Sequence, residues 1–160
     1  MSRVHRLEEP LIAYRIGDPK GAWPVYSAEG ASQISGRWHE TGDRVIYASE
    51  HYSTAMLEKL VQWNGVPPTN RHWIDIVVPA GVEYEVADVD SRAGWELPDS
   101  EVARAFGHRW YAERRSAILI VPSVAARMER NIVINAAHED FPLLEPGKEK
   151  PVWWGERLFR

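Results

Sequence analysis

The sequence predicts an α+β fold, and two observations carry that prediction. Strand-like segments outnumber helical ones, and several strands adjacent in sequence read as antiparallel neighbours. Leu11 to Ile16 reads as a short strand bounded by Pro10 and by Gly17-Asp18-Pro19. Lys20 to Glu40 is rich in Gly, Ser and Pro and reads as an ordered loop with a short helix near Ala28. The turn Thr41-Gly42-Asp43 introduces a strand from Arg44 to Ser49. Ser53 is placed to cap a helix running to about Trp63, with Met56, Leu57, Leu60 and Val61 as its buried stripe and Asn64-Gly65 as its stop.

Trp73 to Val78 alternates as a strand, Pro79-Ala80-Gly81 turns, and Val82 to Val86 is expected to return as the second arm of a hairpin. Pro98-Asp99-Ser100 opens a second helix in which Val102, Phe106 and Trp110 recur at helical spacing. Ala117 to Val121 is a doubly apolar strand, expected at the centre of the sheet with cover on both sides. Pro122-Ser123 ends it, Val124 to Glu129 is expected to make a helical turn, and Ile132 to Ile134 and Trp153 to Phe159 read as further strands. The eight tryptophans are spread along the whole chain and read as core or rim residues.

The 160 residues suffice for one domain, taken as 1–160 with its core at about 11–160. A net charge of −4 advertises no polyanion-binding surface, and Arg109, Arg114 and Arg115 read as helix-terminus charges; no direct nucleic-acid binding is expected. Cysteine is absent, which removes disulfides and thiolate chemistry and suits a reducing cytoplasm. No apolar run approaches the roughly 20 residues of a membrane span, and the polar Leu7-Glu8-Glu9-Pro10 after the basic start does not read as a secretory signal. The histidines show no paired ligand spacing, so no metal is expected, and phosphate-loop, dinucleotide-fingerprint and nucleophile-elbow motifs are missing.

The candidate chemistry lies in Gly36-Arg37-Trp38-His39, Tyr47 and Glu58. The Arg37 fork after a glycine fits phosphate oxygens, Tyr47 offers a flat face and a hydroxyl within an apolar strand, and Glu58 can stabilise positive charge. Together they suit a phosphorylated, ring-bearing substrate that becomes cationic as it reacts. Each has a plainer reading: Arg37 a loop charge, Tyr47 a core phenol, Glu58 a solvated helix residue, Ser123 a cap, Arg15 an ion-pair partner. Asn131 and Asn135 put two amides on one face of a short strand, for a ligand or for loop backbone, and for Asn131 the second reading is taken.

In this order, Tyr14-Arg15, Gly36-Arg37-Trp38-His39, Tyr47-Ala48-Ser49, Glu58, Val121-Pro122-Ser123 and Asn131 to Asn135 resemble the RES-domain family, over about Leu11 to Arg160. The family more often has Asn where this chain has His39, and Asn-Pro where it has Asn135-Ala136, which leaves the roles of those two residues open. The resemblance implies a fold similar to ADP-ribosyltransferase toxins. It implies a toxin of a bacterial toxin–antitoxin pair that takes NAD⁺ as substrate and cleaves its nicotinamide–ribose bond. It further implies a helix-turn-helix (Xre-type) antitoxin partner, in a higher-order complex. By matching motif positions, Arg37, Tyr47, Glu58 and Ser123 would form the catalytic set, and Arg15 and Asn135 would help bind substrate. Ser123 is expected to bond the nicotinamide amide or a ribose hydroxyl. An ADP-ribosyltransferase acting on one protein, and an inactive partner-binding domain, are the alternatives.

Overall fold

The structure, a computed structural model, describes residues 3–64, 66 and 69–159. Its strands are β1 (His5–Arg6), β2 (Leu11–Gly17), β3 (Val45–Ser49), β4 (His72–Val78), β5 (Glu83–Val86), β6 (Ile118–Pro122), β7 (Arg130–Asn135), β8 (Glu145–Pro146) and β9 (Lys150–Pro151). They form one sheet in the order β1-β5-β6-β7-β3-β2-β4-β8, with β9 also on β4. Every pairing is antiparallel except that of β5 with β6, which makes the α+β expectation correct.

Strand periodicity explains the two cores. Ile118 and Ile120 of β6 face one apolar layer while Leu119 and Val121 face the other. Ile132 and Ile134 oppose Val133 in β7, and Ile46 and Ala48 oppose Val45 in β3, in the same way. Burying each such side chain stabilises by about 1.5–3 kcal/mol, so covering both faces of these strands fixes their central place.

Three helices pack on this sheet: α1 (Glu29–Gln33), α2 (Tyr52–Gln62) and α3 (Glu101–Ala112). Ser100 caps α3 as expected, its Oγ accepting from the Ala103 N–H at 3.1 Å. Phe106 and Trp110 turn inward, but Val102 is exposed. The Gly36–Asp43 loop is clamped to this helix. Gly107 lies so close to Trp38 that an added Cβ would stand 1.8 Å from the Trp38 carbonyl oxygen. Asp43 accepts from the Glu40 N–H at 2.9 Å and pairs with His108 Nδ1 at 2.9 Å.

Several expectations are overturned. Val82 to Val86 forms no hairpin with β4, because β4 already has β2 on one edge and β8 and β9 on the other; β5 joins β1 and β6 instead. Ser53 lies inside α2, whose N-cap is His51, and Leu57 and Val61 are exposed. The face α2 buries is made of the small residues Thr54 and Ala55, which let its backbone approach the sheet. Its stop at Asn64 is borne out by a left-handed φ of 54°; Gly65 lies outside the described residues. Val124 to Glu129 forms bends and a turn, without a helix. Trp153 to Phe159 is not a strand and ends in a 3₁₀ turn at Glu156–Phe159; the edge it would need on β4 is taken by pieces that Pro146 and Pro151 keep short.

The Gly107 contact yields a test. Gly107→Ala should destabilise by about 1–3 kcal/mol through overpacking against Trp38. Urea unfolding measures it, and wild-type stability would show that the loop and helix have room to part.

Candidate functional site

The site arises where the sheet comes apart. β2 and β4 pair along their whole length, whereas β2 and β3 share only one ladder position, Tyr14 opposite Ser49. Ser49 in turn lies opposite Asn131, and Asn131 opposite Val121, so Tyr14, Ser49, Asn131 and Val121 form a row across four strands on one face. A cavity of about 500 Å³ opens beside this row, within the range of small-molecule sites. Residues of β2, β3, β7, α2 and the Gly36–Trp38 loop line it, among them Arg15, Arg37, Tyr47, Glu58, Lys59 and Asn131.

Arg15 fills the space between the parted strands. Its Nε donates to the Val25 carbonyl at 2.6 Å and its Nη1 to the Tyr47 carbonyl at 2.8 Å. Burial pulls its pKa down to about 10. Arg37 donates through Nη1 to the carbonyls of Trp95 and Leu97, both at 2.8 Å, and no bond to its Nε or Nη2 occurs among the described residues. Burial lowers its pKa while facing Glu58 raises it.

The proton positions around Tyr47 follow from its partners. His39 Nε2 lies 2.7 Å from the Ala31 carbonyl and 2.9 Å from the Ile34 carbonyl, so that nitrogen carries a proton. For neutral His39, Nδ1 therefore accepts from the Tyr47 hydroxyl, at 2.6 Å, while that hydroxyl oxygen accepts from the Trp38 N–H at 3.1 Å. Burial pushes the phenol pKa well above its ordinary value. Tyr47 therefore presents its ring to the cavity and keeps its hydroxyl in the frame.

Glu58 is held from behind. Its Oε1 accepts from Ser123 Oγ at 2.6 Å and from Asn131 Nδ2 at 2.9 Å. Ser49 donates to Asn131 Oδ1 at 2.8 Å, which fixes the amide's orientation, and Ser123 Oγ accepts from the Ala126 N–H at 3.0 Å. No bond to Oε2 occurs among the described residues.

Arg15, Arg37, Tyr47 and Glu58 are thus brought together, with Ser123 directly behind Glu58 and fully buried. Asn135 is not among the residues lining the cavity. It stands four positions along β7 from Asn131, about 13 Å at strand rise, and bonds the Tyr111 carbonyl and the Ala137 N–H. Asn131, read from sequence as a loop-backbone partner, is the amide at the cavity. Sequence reading also passed over Lys59, which lies next to Glu58 and lines the same cavity. Its only hydrogen bond among the described residues is to Gln62 Oε1 at 3.3 Å, and burial with Arg15 and Arg71 nearby pulls its pKa down to about 8. Across segments, the fold also brings Glu50, His51 and Glu129 within 4.8 Å of one another, a grouping no local spacing shows. Glu50 is paired there with Arg130, and His51 with Glu129 at 3.1 Å.

The geometry defines an α+β domain whose opened sheet carries a small-molecule cavity lined by cations and one tethered carboxylate. The chain belongs to the RES-domain family, whose model matches residues 12–155. It is 36% identical to a Prs ADP-ribosylating toxin of Sphingobium sp. strain YBL2, over 97% of this chain and 95% of that protein. It is 29% identical to a toxin Res of Photorhabdus laumondii, over 82% of this chain and 85% of the other. In fold it is similar to a chain of the M. tuberculosis MbcT–MbcA toxin–antitoxin complex, with a TM-score of 0.67 and 16% identity, covering 92% and 86% of the two chains. Among the described residues no helix is long and apolar enough to cross a membrane.

Lys59 makes the site's electrostatics measurable. The folded state disfavours its charged form, so the penalty is full below pH 8 and is relieved as pH rises toward the unfolded value near 10.5. Lys59→Met should therefore stabilise the protein at pH 7, and the gain should shrink between pH 8 and 10.5. Denaturant unfolding at both ends of that window checks the sign.

Proposed function

We propose that this protein is the toxin of a bacterial toxin–antitoxin pair and that it cleaves the nicotinamide–ribose bond of NAD⁺ in the cavity beside Glu58. The observation that carries this reading is that Arg37 and Glu58 line one cavity, with the carboxylate tethered through a single oxygen. Departure of nicotinamide neutralises its pyridinium and leaves the ribose oxocarbenium-like, so a fixed carboxylate stabilises the transition state more than the ground state. Glu58 supplies that charge through Oε2. Ser123 and Asn131 position it through their bonds to Oε1. The N–H donors of Arg37 that remain clamp the diphosphate, Arg15 adds its charge, and the Tyr47 ring borders the nicotinamide.

The relatives named as toxins, and the toxin–antitoxin complex that shares the fold, support the biological setting. The partner in this reading is a protein antitoxin of the helix-turn-helix (Xre) type, and the place of action is the cytoplasm. The close likeness over 97% of the chain to a Prs ADP-ribosylating toxin favours a second reading, transfer of ADP-ribose to a protein.

Arg37→Ala and Glu58→Ala should each fold normally and lose about 10²–10³ in the rate of nicotinamide release from NAD⁺, followed by chromatography. Wild-type turnover by Glu58→Ala removes the carboxylate from the mechanism. Running the reaction with and without phosphate, and searching cell proteins for ADP-ribose by mass spectrometry, separates the two acceptors.

A further inference from the structure

A second cavity, of about 270 Å³, lies along one face of α3 and shares no residue with the first. Val102, Ala105, Phe106 and Arg109, at helical spacing, form one wall, and Arg3, Arg92 and Arg115 close it. The arginines differ in what they have left to offer. Arg115 is spent: its Nε and Nη2 grip Glu85 at 3.0 and 2.6 Å, and its Nη1 faces Glu113 at 3.4 Å. Arg3, Arg92 and Arg109 have no carboxylate within ion-pair distance among the described residues. The Arg92 guanidinium carbon stands 4.2 Å from the Phe106 ring centroid, which fixes the plane of its fork. Its Nε is shut off from solvent and has no hydrogen-bond partner among the described residues.

Three guanidinium groups lining one cavity without a direct ion pair repel one another. A bound anion relieves that repulsion. The chain can supply carboxylates elsewhere, with 23 acidic residues against 19 basic ones, yet places none within ion-pair distance of these three among the described residues; Asp88 acts on Arg92 only through space. We propose that this cavity is an anion site for a compact diphosphate group, held by Arg92, Arg109 and Arg3 and separate from the cavity of Glu58. Planar forks bind phosphate oxygens in pairs, and the small volume admits a diphosphate more readily than a longer polyanion.

The test titrates the whole protein with inorganic pyrophosphate, by calorimetry and by amide chemical shifts. An Arg37→Gln background weakens the first cavity, which also attracts anions. Saturable binding there, with shifts clustered at Arg92 and Ala105 to Arg109, supports the site. Arg109→Gln, an exposed substitution that should leave folding and NAD⁺ cleavage unchanged, should weaken that binding about tenfold. Shifts confined to the first cavity, an affinity that Arg109→Gln does not alter, or binding of a glutamate-rich peptide with none of pyrophosphate would overturn the proposal. ADP as a second titrant distinguishes the source: equal affinity assigns a free diphosphate, tighter binding a nucleoside diphosphate.

Discussion

The site depends on a guanidinium standing where a ladder of hydrogen bonds would otherwise run. Once β2 leaves β3 after Tyr14 and Ser49, the Tyr47 carbonyl has lost the strand that would have bonded it. A buried carbonyl without a donor costs about 1–3 kcal/mol. Arg15 supplies the donor from β2 itself and at the same time satisfies Val25, so the sheet stays open without orphaned backbone. A shorter cation could not reach both carbonyls from one strand position. The depressed pKa of Arg15 measures what that burial costs, and the group remains charged at neutral pH all the same.

A second constraint turns the loop and β3 into one unit. The chain of bonds runs from Trp38 N–H to the Tyr47 hydroxyl, on to His39 Nδ1, and from Nε2–H, shared between the Ala31 and Ile34 carbonyls, to the α1 region. With Gly107 against Trp38 on the other side, the backbone at Gly36 and Arg37 is held from two directions. Arg37 then has one nitrogen on the carbonyls of Trp95 and Leu97 and the rest of its fork toward the cavity. His39, whose role a family comparison left open, is the keystone of this arrangement.

How much of this was legible in the sequence can be judged residue by residue. The central strands were, because Ile118 to Val121 is apolar at every position and only a two-sided core rewards that. The α3 start was, because Ser100 can accept a bond locally. The α2 stripe was not: Leu57 and Val61 sit at core spacing, but the cavity rim, rather than a packed layer, lies beside Val61. The false hairpin had the right turn chemistry at Gly81, whose φ is 90°, yet which edge of a sheet is free is decided by residues tens of positions away. The same holds for the amides. Asn131 and Asn135 look equivalent on one strand face, and only the register that sets Asn131 opposite Ser49 brings one of them to Glu58. Lys59 carried no local signal, since its neighbours Arg15 and Arg71 come from other strands and loops.

The charge balance of the cavity says what kind of ligand it favours. Arg15, Arg37 and Lys59 all have their pKa values lowered, which means the fold holds each of them with less compensation than water would give. Among the lining residues one carboxylate faces them, and it is tied down through a single oxygen by Ser123 and Asn131, so it cannot swing across to pair with all three. Opposite charges are thereby kept apart at fixed positions, at a cost to stability that a ligand can recover on binding. A uniformly anionic ligand would meet Glu58 as a repulsion, and a cationic one would meet three repulsions. The arrangement suits a molecule that is negative along one part and positive at another.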